Sequence, residues 1–137
     1  MRRSIASILE EVANEKDRKG KIEALRKHDS PSLRTILQFA LDPSVEWLLP
    51  EGKPHYMPIH DDADVEGRLY YEARKLYLYV KGGNDNLSPE KRERLFIQTL
   101  ESIDPDDAEL LCSVKDKKIP YKGITPKLVT EAFPGLF

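Results

Sequence analysis

Five lysines surround a single glycine in the last quarter of the chain. Gly123 precedes the pair Thr125-Pro126, and the lysines are Lys115, Lys117, Lys118, Lys122 and Lys127. A glycine lets the backbone approach a ligand closely, and a Thr-Pro pair typically opens a helix, whose first amide groups attract anions. The lysines, the glycine and the helix start together predict a binding site for phosphate groups.

A second basic stretch lies near the beginning of the chain, and Lys19 and Lys21 are its candidate phosphate ligands. Residues 1–28 carry eight basic and five acidic side chains, and residues 112–137 carry five and two, so each end has a charge of +3. Residues 29–111 carry nine basic and seventeen acidic side chains, so their charge is −8 and the net charge of the chain is −2. If the two ends meet in space, they form one positive face; the alternative is that the charged turn is simply solvated.

One acidic cluster has the right donors for a hard cation. His60, Asp61, Asp62, Asp64 and Glu66 lie within seven residues, and Mg²⁺ or Mn²⁺ prefers oxygen ligands. Acidic side chains also belong in the first turn of a helix, where they oppose its dipole. The sequence favours the helix start, because a metal site needs further ligands that converge from elsewhere in the chain. We predict neither a metal nor a cofactor.

No spacing typical of an enzyme is found. Gly82-Gly83 is not followed by the Lys-Ser/Thr of a phosphate loop, and Asn84-Asp85-Asn86 lacks the closing glutamate of a calcium loop. Cys112 has apolar neighbours, which favour an inert buried thiol. The sequence therefore predicts a protein without catalytic residues.

Apolar spacing predicts an all-α fold, a compact bundle of about six or seven short helices in a single domain over residues 1–137. Residues 5–13 and 33–41 repeat apolar side chains at i, i+3, i+4 and i+7. A charged turn at residues 16–20 precedes a short second helix, and residues from 62 to the glycine pair at 82–83 predict the longest helix. Four helices are predicted to begin where a capping residue precedes proline, at Ser30, Ser88, Asp104 and Thr125.

The composition excludes several protein classes. Hydrophobic residues make up 39% of the chain and charged residues 34%, and no stretch approaches the about 20 apolar residues of a membrane span. A single cysteine rules out an internal disulfide and suits a reducing compartment, so we expect a cytoplasmic protein. The sequence leaves the oligomeric state open.

Two motifs near the chain ends resemble a known family. Residues 21–28 read K-x-x-x-L-x-K-H and residues 33–43 read L-x-x-x-L-x-x-A-L-D-P, while Gly123 is followed by a helix that ends in Phe-Pro-Gly-Leu. In this order the motifs resemble the helical N-terminal DNA-binding domain of the ATP-dependent DNA ligases of T-even-like phages. The resemblance implies an all-α domain that grips duplex DNA through its backbone, within a phage-type replication or repair system.

The chain also departs from that family. The ligases carry their adenylated lysine in a Lys-x-Asp-Gly motif, which these residues lack, so we expect no ligase activity. Where the family tends to have an Arg-Asp-Leu run before the glycine, residues 117–121 read Lys-Lys-Ile-Pro-Tyr. Two hypotheses follow: a non-catalytic module that binds duplex or nicked DNA through phosphates, or an adaptor that kept the fold and binds a host or viral protein through its acidic middle or the Trp47 loop.

Overall fold

Seven α-helices and one 3₁₀ segment make up the regular structure of the described part of the chain. The computed structural model describes residues 3–59, 65 and 67–137. In chain order the helices are α1 (Ile5–Asn14), α2 (Arg18–Lys27), α3 (Pro31–Leu41), α4 (Arg68–Glu72), α5 (Pro89–Leu100), α6 (Pro105–Lys115) and α7 (Pro126–Ala132). The 3₁₀ segment Ala73–Tyr79 follows α4 directly. The predicted all-α fold is confirmed for these residues.

Helix starts follow the predicted capping signals. Ser30, Ser88 and Thr125 each accept a hydrogen bond from the amide three residues later, and proline occupies the next position in all three helices. Asp104 caps α6 through the amides of Asp106 and Asp107. A capping side chain satisfies a helix amide that has no partner within the helix, and proline loses nothing there because its position needs no amide.

The apolar stripes of the helices meet in one core cluster. Helix α1 packs against α2 and α6, α3 packs against α6 and the 3₁₀ segment, and α7 packs against α2. Phe96 lies at the centre of an aromatic group in which its ring meets those of Tyr79 and Trp47 edge-on, with centroids 5.2 and 6.4 Å away. These contacts connect both ends of the chain to the same hydrophobic interior.

The prediction of one long helix from residue 62 to the glycine pair at 82–83 was wrong for the residues that the structure describes. Helix α4 has five residues, and the chain then tightens into the seven-residue 3₁₀ segment. A short extended pairing explains the change, because Leu48 N–H donates to the Tyr79 carbonyl at 2.8 Å and Lys81 N–H donates to the Glu46 carbonyl at 2.9 Å. Tertiary pairing with the Trp47 segment therefore overrides the helical pattern.

The second helix is longer than predicted. Asp17 accepts a hydrogen bond from the Gly20 amide at 2.7 Å and starts α2 at Arg18, so part of the expected turn at residues 16–20 is helical. The earlier start places Lys19 and Lys21 on a helix. Most of the basic stretch is thus part of α2, which packs against α7.

Candidate functional site

Gly123 and Lys21 bring the two basic segments together. Gly123 has φ +86°, and a Cβ at this position would lie 2.9 Å from Lys21 Cε. The turn that contains Gly123 therefore lies directly on the Lys21 side chain, and any larger residue there would be strained and crowded. The two basic ends of the chain are therefore in contact at this point.

Helices α2 and α7 fix this arrangement. Arg26 donates to the backbone carbonyls of Ala132 and Glu131, both at 3.1 Å, and Arg18 forms an ion pair with the Glu131 side chain. These two arginines hold the C-terminal end of α7 against α2. Both guanidinium groups are engaged in these contacts, and Glu131 neutralises the charge of Arg18.

Lys115 is withdrawn from solvent. Only 2% of the Lys115 side chain is exposed, and its Nζ donates to the Pro50 carbonyl at 2.7 Å and to Asp116 Oδ1 at 2.6 Å. An ammonium group so enclosed cannot reach a phosphate in this structure. Lys115 therefore lies outside the candidate surface.

Lys117 has a structural position as well. Its Nζ donates to the carbonyls of Phe39 at 3.0 Å and Asp42 at 2.6 Å, at the end of α3. Partial burial lowers the pKa of the Lys117 side chain, and its backbone has φ +63°, an uncommon conformation for a residue other than glycine. Lys117 stabilises the C-terminal end of α3 by bonding carbonyls that lack helical partners.

The remaining lysines divide into exposed and tethered side chains. Lys21 is partly buried, and its ammonium group donates to the backbone carbonyl of Glu15. The exposed members of the predicted set are Lys19, Lys118, Lys122 and Lys127. Of these, Lys19 lies on α2, Lys122 adjoins Gly123, and Lys127 lies in the first turn of α7, so three exposed cations lie on the segments that meet at the Lys21–Gly123 contact.

The start of α7 contributes less than its sequence suggested. The Thr125 hydroxyl accepts the hydrogen bond of the Leu128 amide at 3.2 Å, and Pro126 has no amide hydrogen. Two of the first three helix positions therefore have no amide to offer a phosphate. Binding at this surface depends on lysine side chains rather than on the helix end.

Aromatic and cationic side chains cluster at a separate surface. Tyr71 and Tyr77 are half-exposed, and the cationic groups of Arg74 and Lys75 lie 5.6 and 4.7 Å from the centre of the Tyr71 ring. Tyr79 is buried, and its hydroxyl lies 3.3 Å from the Thr99 hydroxyl. Of these three tyrosines, one therefore lies in the core and two lie on the surface.

Cys112 and the acidic cluster are the other chemical groups that the sequence singled out. Burial raises the pKa of the Cys112 thiol, which keeps it protonated and unreactive. The acidic cluster from His60 to Glu66 lies outside the described residues, and within them no three His, Cys, Asp or Glu side chains are placed to hold a metal ion. None of the described helices is long and apolar enough to cross a membrane.

The burial of Asp107 was not predicted from the sequence. Asp107 is completely buried, its Oδ1 accepts a hydrogen bond from the Ala6 amide at 2.7 Å, and its Oδ2 has no partner among the described residues. Burial raises the pKa of the Asp107 carboxyl group to about 7. An acidic residue in a first turn gives no sequence signal that distinguishes this buried position from the exposed Asp106 beside it.

Comparison with known protein families identifies the family of this chain. A family model described as "Family of unknown function (DUF6433)" matches residues 8–121, which begin within α1, include α2 to α6 and stop just before Lys122. No match was found among curated proteins or among solved structures.

Proposed function

Since the chain belongs to the DUF6433 family, whose function is unknown, we propose on physical grounds that it is a non-catalytic DNA-binding module. The surface around the Lys21–Gly123 contact binds the phosphates of duplex or nicked DNA, with Lys19, Lys122 and Lys127 as its principal cations. The resemblance of the chain ends to the DNA-binding domain of T-even-like phage ligases supports the same proposal. It suggests a role in a phage-type replication or repair system.

The contact between Lys21 and Gly123 carries the proposal. It brings the turn with Lys122 against α2, so basic segments that are about one hundred positions apart in sequence adjoin each other, which supports a common phosphate-binding surface. Lys21 supports this surface through its bond to the Glu15 carbonyl rather than by reaching into solvent. Phosphate contacts of this kind position DNA without reading its sequence.

Binding through so few cations is weak and sensitive to salt. Each neutralised phosphate adds about −0.9 to the slope of log K against log salt concentration. The four exposed lysines therefore predict a slope no steeper than about −3.6. The net charge of −2 adds no attraction at long range, so we expect measurable affinity only at low salt.

A duplex titration at several salt concentrations tests the proposal. The variant Lys19→Ala/Lys122→Ala/Lys127→Ala should reduce the salt slope to about −0.9, because one exposed lysine of the set remains. A control variant, Lys81→Ala/Lys91→Ala/Arg94→Ala, removes three exposed charges elsewhere and should keep most of the affinity. Equal losses in both variants, or no binding at low salt, contradict the proposal.

The second candidate function is that of a protein-binding adaptor. It is favoured by the withdrawal of Lys115 and Lys117 from the basic surface and by Met57, which is 75% exposed in the loop that follows Trp47. An exposed apolar side chain in an acidic part of the chain suits a protein partner better than a phosphate backbone. Affinity capture with and without nuclease separates the two functions, because a partner bridged by DNA is lost after nuclease treatment.

A further inference from the structure

The segment at residues 49–57, here called the strap, is held against α5 and α6 by side-chain bonds. Lys115 binds the Pro50 carbonyl, the Gly52 amide donates to Asp116 Oδ2 at 3.1 Å, and the Met57 amide donates to Glu101 Oε2 at 2.8 Å. Lys53 adds an ion pair with Glu109. The strap thus keeps a defined position although it forms no helix or strand.

A cavity of about 270 Å³ lies between the strap and α5. Its apolar lining is formed by Leu49, Pro50, Pro54, Phe96 and Ile97. Phe96 is fixed by its edge contacts with Tyr79 and Trp47, so this wall exists before any ligand arrives. The volume is just below the range of pockets that hold whole small molecules, and it suits a single inserted side chain.

Charges at the cavity favour a cationic partner. The two lysines of the lining are paired, Lys53 with Glu109 and Lys115 with Asp116. Glu51 and Glu93 also line the cavity, and neither forms an ion pair with another described residue. The cavity therefore combines an apolar interior with two uncompensated carboxylates.

We propose that this cavity binds a peptide segment of a partner protein that inserts one branched apolar side chain flanked by Lys or Arg. The apolar side chain fills the space between the strap and Ile97, and the flanking cations approach Glu51 and Glu93. The site shares no residue with the surface around Lys21 and Gly123, and it gives the adaptor function a specific location.

Three capped pentapeptides test the site by NMR titration of the full chain labelled with ¹⁵N. Gly-Lys-Leu-Lys-Gly should shift the amide signals of Gly52 and Ile97 and reach saturation. Replacing Leu by Ala should weaken binding about tenfold, since burial of a leucine is worth at least that factor. Replacing both Lys by Glu should abolish saturation. Equal shifts with all three peptides, or none with the first, overturn the proposal.

Two variants assign the binding to this cavity. Glu51→Lys/Glu93→Lys should lose affinity for the first peptide, whereas Glu23→Lys/Glu46→Lys, which changes two exposed carboxylates outside the cavity, should retain it. Ile97→Trp should block the cavity, with circular dichroism confirming that it folds. If these amide signals instead depend on protein concentration without peptide, a second copy occupies the cavity and the proposal is wrong. Lys19→Ala/Lys122→Ala/Lys127→Ala should bind the peptide normally, which separates this site from the DNA surface.

Discussion

The carboxylate of Asp107 in α6 accepts a hydrogen bond from the backbone amide of Ala6 in α1, across 101 positions of the chain. The distance is 2.7 Å, and Asp107 is 0% exposed. One acidic group therefore connects the first helix to the helix that precedes the basic turn. Its titration should couple the stability of the whole bundle to pH.

We predict that Asp107 makes the protein less stable as pH rises from about 4 to about 7. Burial raises the pKa of Asp107 from 3.8 to about 7, so in this range the folded chain holds a proton that the unfolded chain has lost. The stability that protonated Asp107 contributes is complete below the pKa of the unfolded chain. It is lost as pH rises through the pKa of the folded chain. Since each pKa step corresponds to about 1.4 kcal/mol, the change is on the order of a few kcal/mol.

Urea unfolding of Asp107→Asn at a series of pH values measures this effect. In the variant, the free energy of unfolding should no longer decline between pH 4 and 7. It should be lower by a constant of about 1–3 kcal/mol, because the buried amide of Asn is unpaired. Asp106→Asn changes the exposed neighbour and should keep the wild-type dependence. Parallel curves for the wild type and Asp107→Asn rule out this role.

Glu11 should act in the opposite direction and at lower pH. Hydrogen bonds from Arg3 and His28 lower the pKa of Glu11 from 4.5 to about 2. The stability that this carboxylate contributes is present above pH 4.5 and is lost as pH falls towards 2. The group is partly exposed, so the loss should stay below about 1 kcal/mol.

Thermal unfolding between pH 2 and 6 checks the Glu11 prediction. Glu11→Gln should unfold at a lower temperature than the wild type at pH 6, and the difference should shrink towards pH 2. Glu10→Gln alters the exposed adjacent carboxylate and serves as the control. If Glu11→Gln leaves the fall in unfolding temperature towards pH 2 unchanged, the prediction is contradicted.

Gly123→Ala should destabilise the basic turn. The backbone has φ +86°, which costs an alanine about 1–2 kcal/mol, and the new Cβ must also displace the flexible end of Lys21. Gly52→Ala is a matched control, because Gly52 has φ +95° and no atom within 4 Å of the Cβ position. Both variants should lose similar stability in urea unfolding, but only Gly123→Ala should shift the NMR signals of Lys21 and weaken DNA binding.

Lys117 and Lys118 should behave differently although they are adjacent. Lys117→Ala removes a charged donor from the Phe39 and Asp42 carbonyls, which keep the Trp47 indole and the Val45 amide as partners, so we expect a loss of about 1–2 kcal/mol in unfolding free energy. Lys118→Ala changes an exposed side chain and should remain within about 0.5 kcal/mol of the wild type. Chemical denaturation compares the two directly, and an equal small effect of both shows that the carbonyls at the end of α3 do not need Lys117.

The sequence predicts helix starts well because their causes are local. A capping side chain and a proline act on the nearest few amides, so Ser30, Ser88 and Thr125 could be identified without knowing the fold. The 3₁₀ segment was missed because its cause is distant. The segment pairs with residues around Trp47, which bridges to Val80 from 33 positions earlier in the chain, outside the helical pattern.

The same distinction applies to the candidate site. Sequence identified a cluster of lysines, but burial separates them: Lys115 and Lys117 bind carbonyls supplied by other segments, while Lys122 and Lys127 face solvent. The meeting of both basic ends depends on the packing of α2 against α7, which charge patterns alone do not specify. Residue type predicts what a side chain can bind, and tertiary structure decides which of them are available.

The position of Trp47 gives the protein an internal optical reporter. The sequence has one tryptophan, whose indole N–H donates to the Phe39 carbonyl at 3.0 Å and whose ring contacts Phe96 in the cavity wall. Its fluorescence therefore comes from a single known environment. A blue shift on ligand entry and a red shift on unfolding would follow cavity occupancy and loss of the core in the same unlabelled sample.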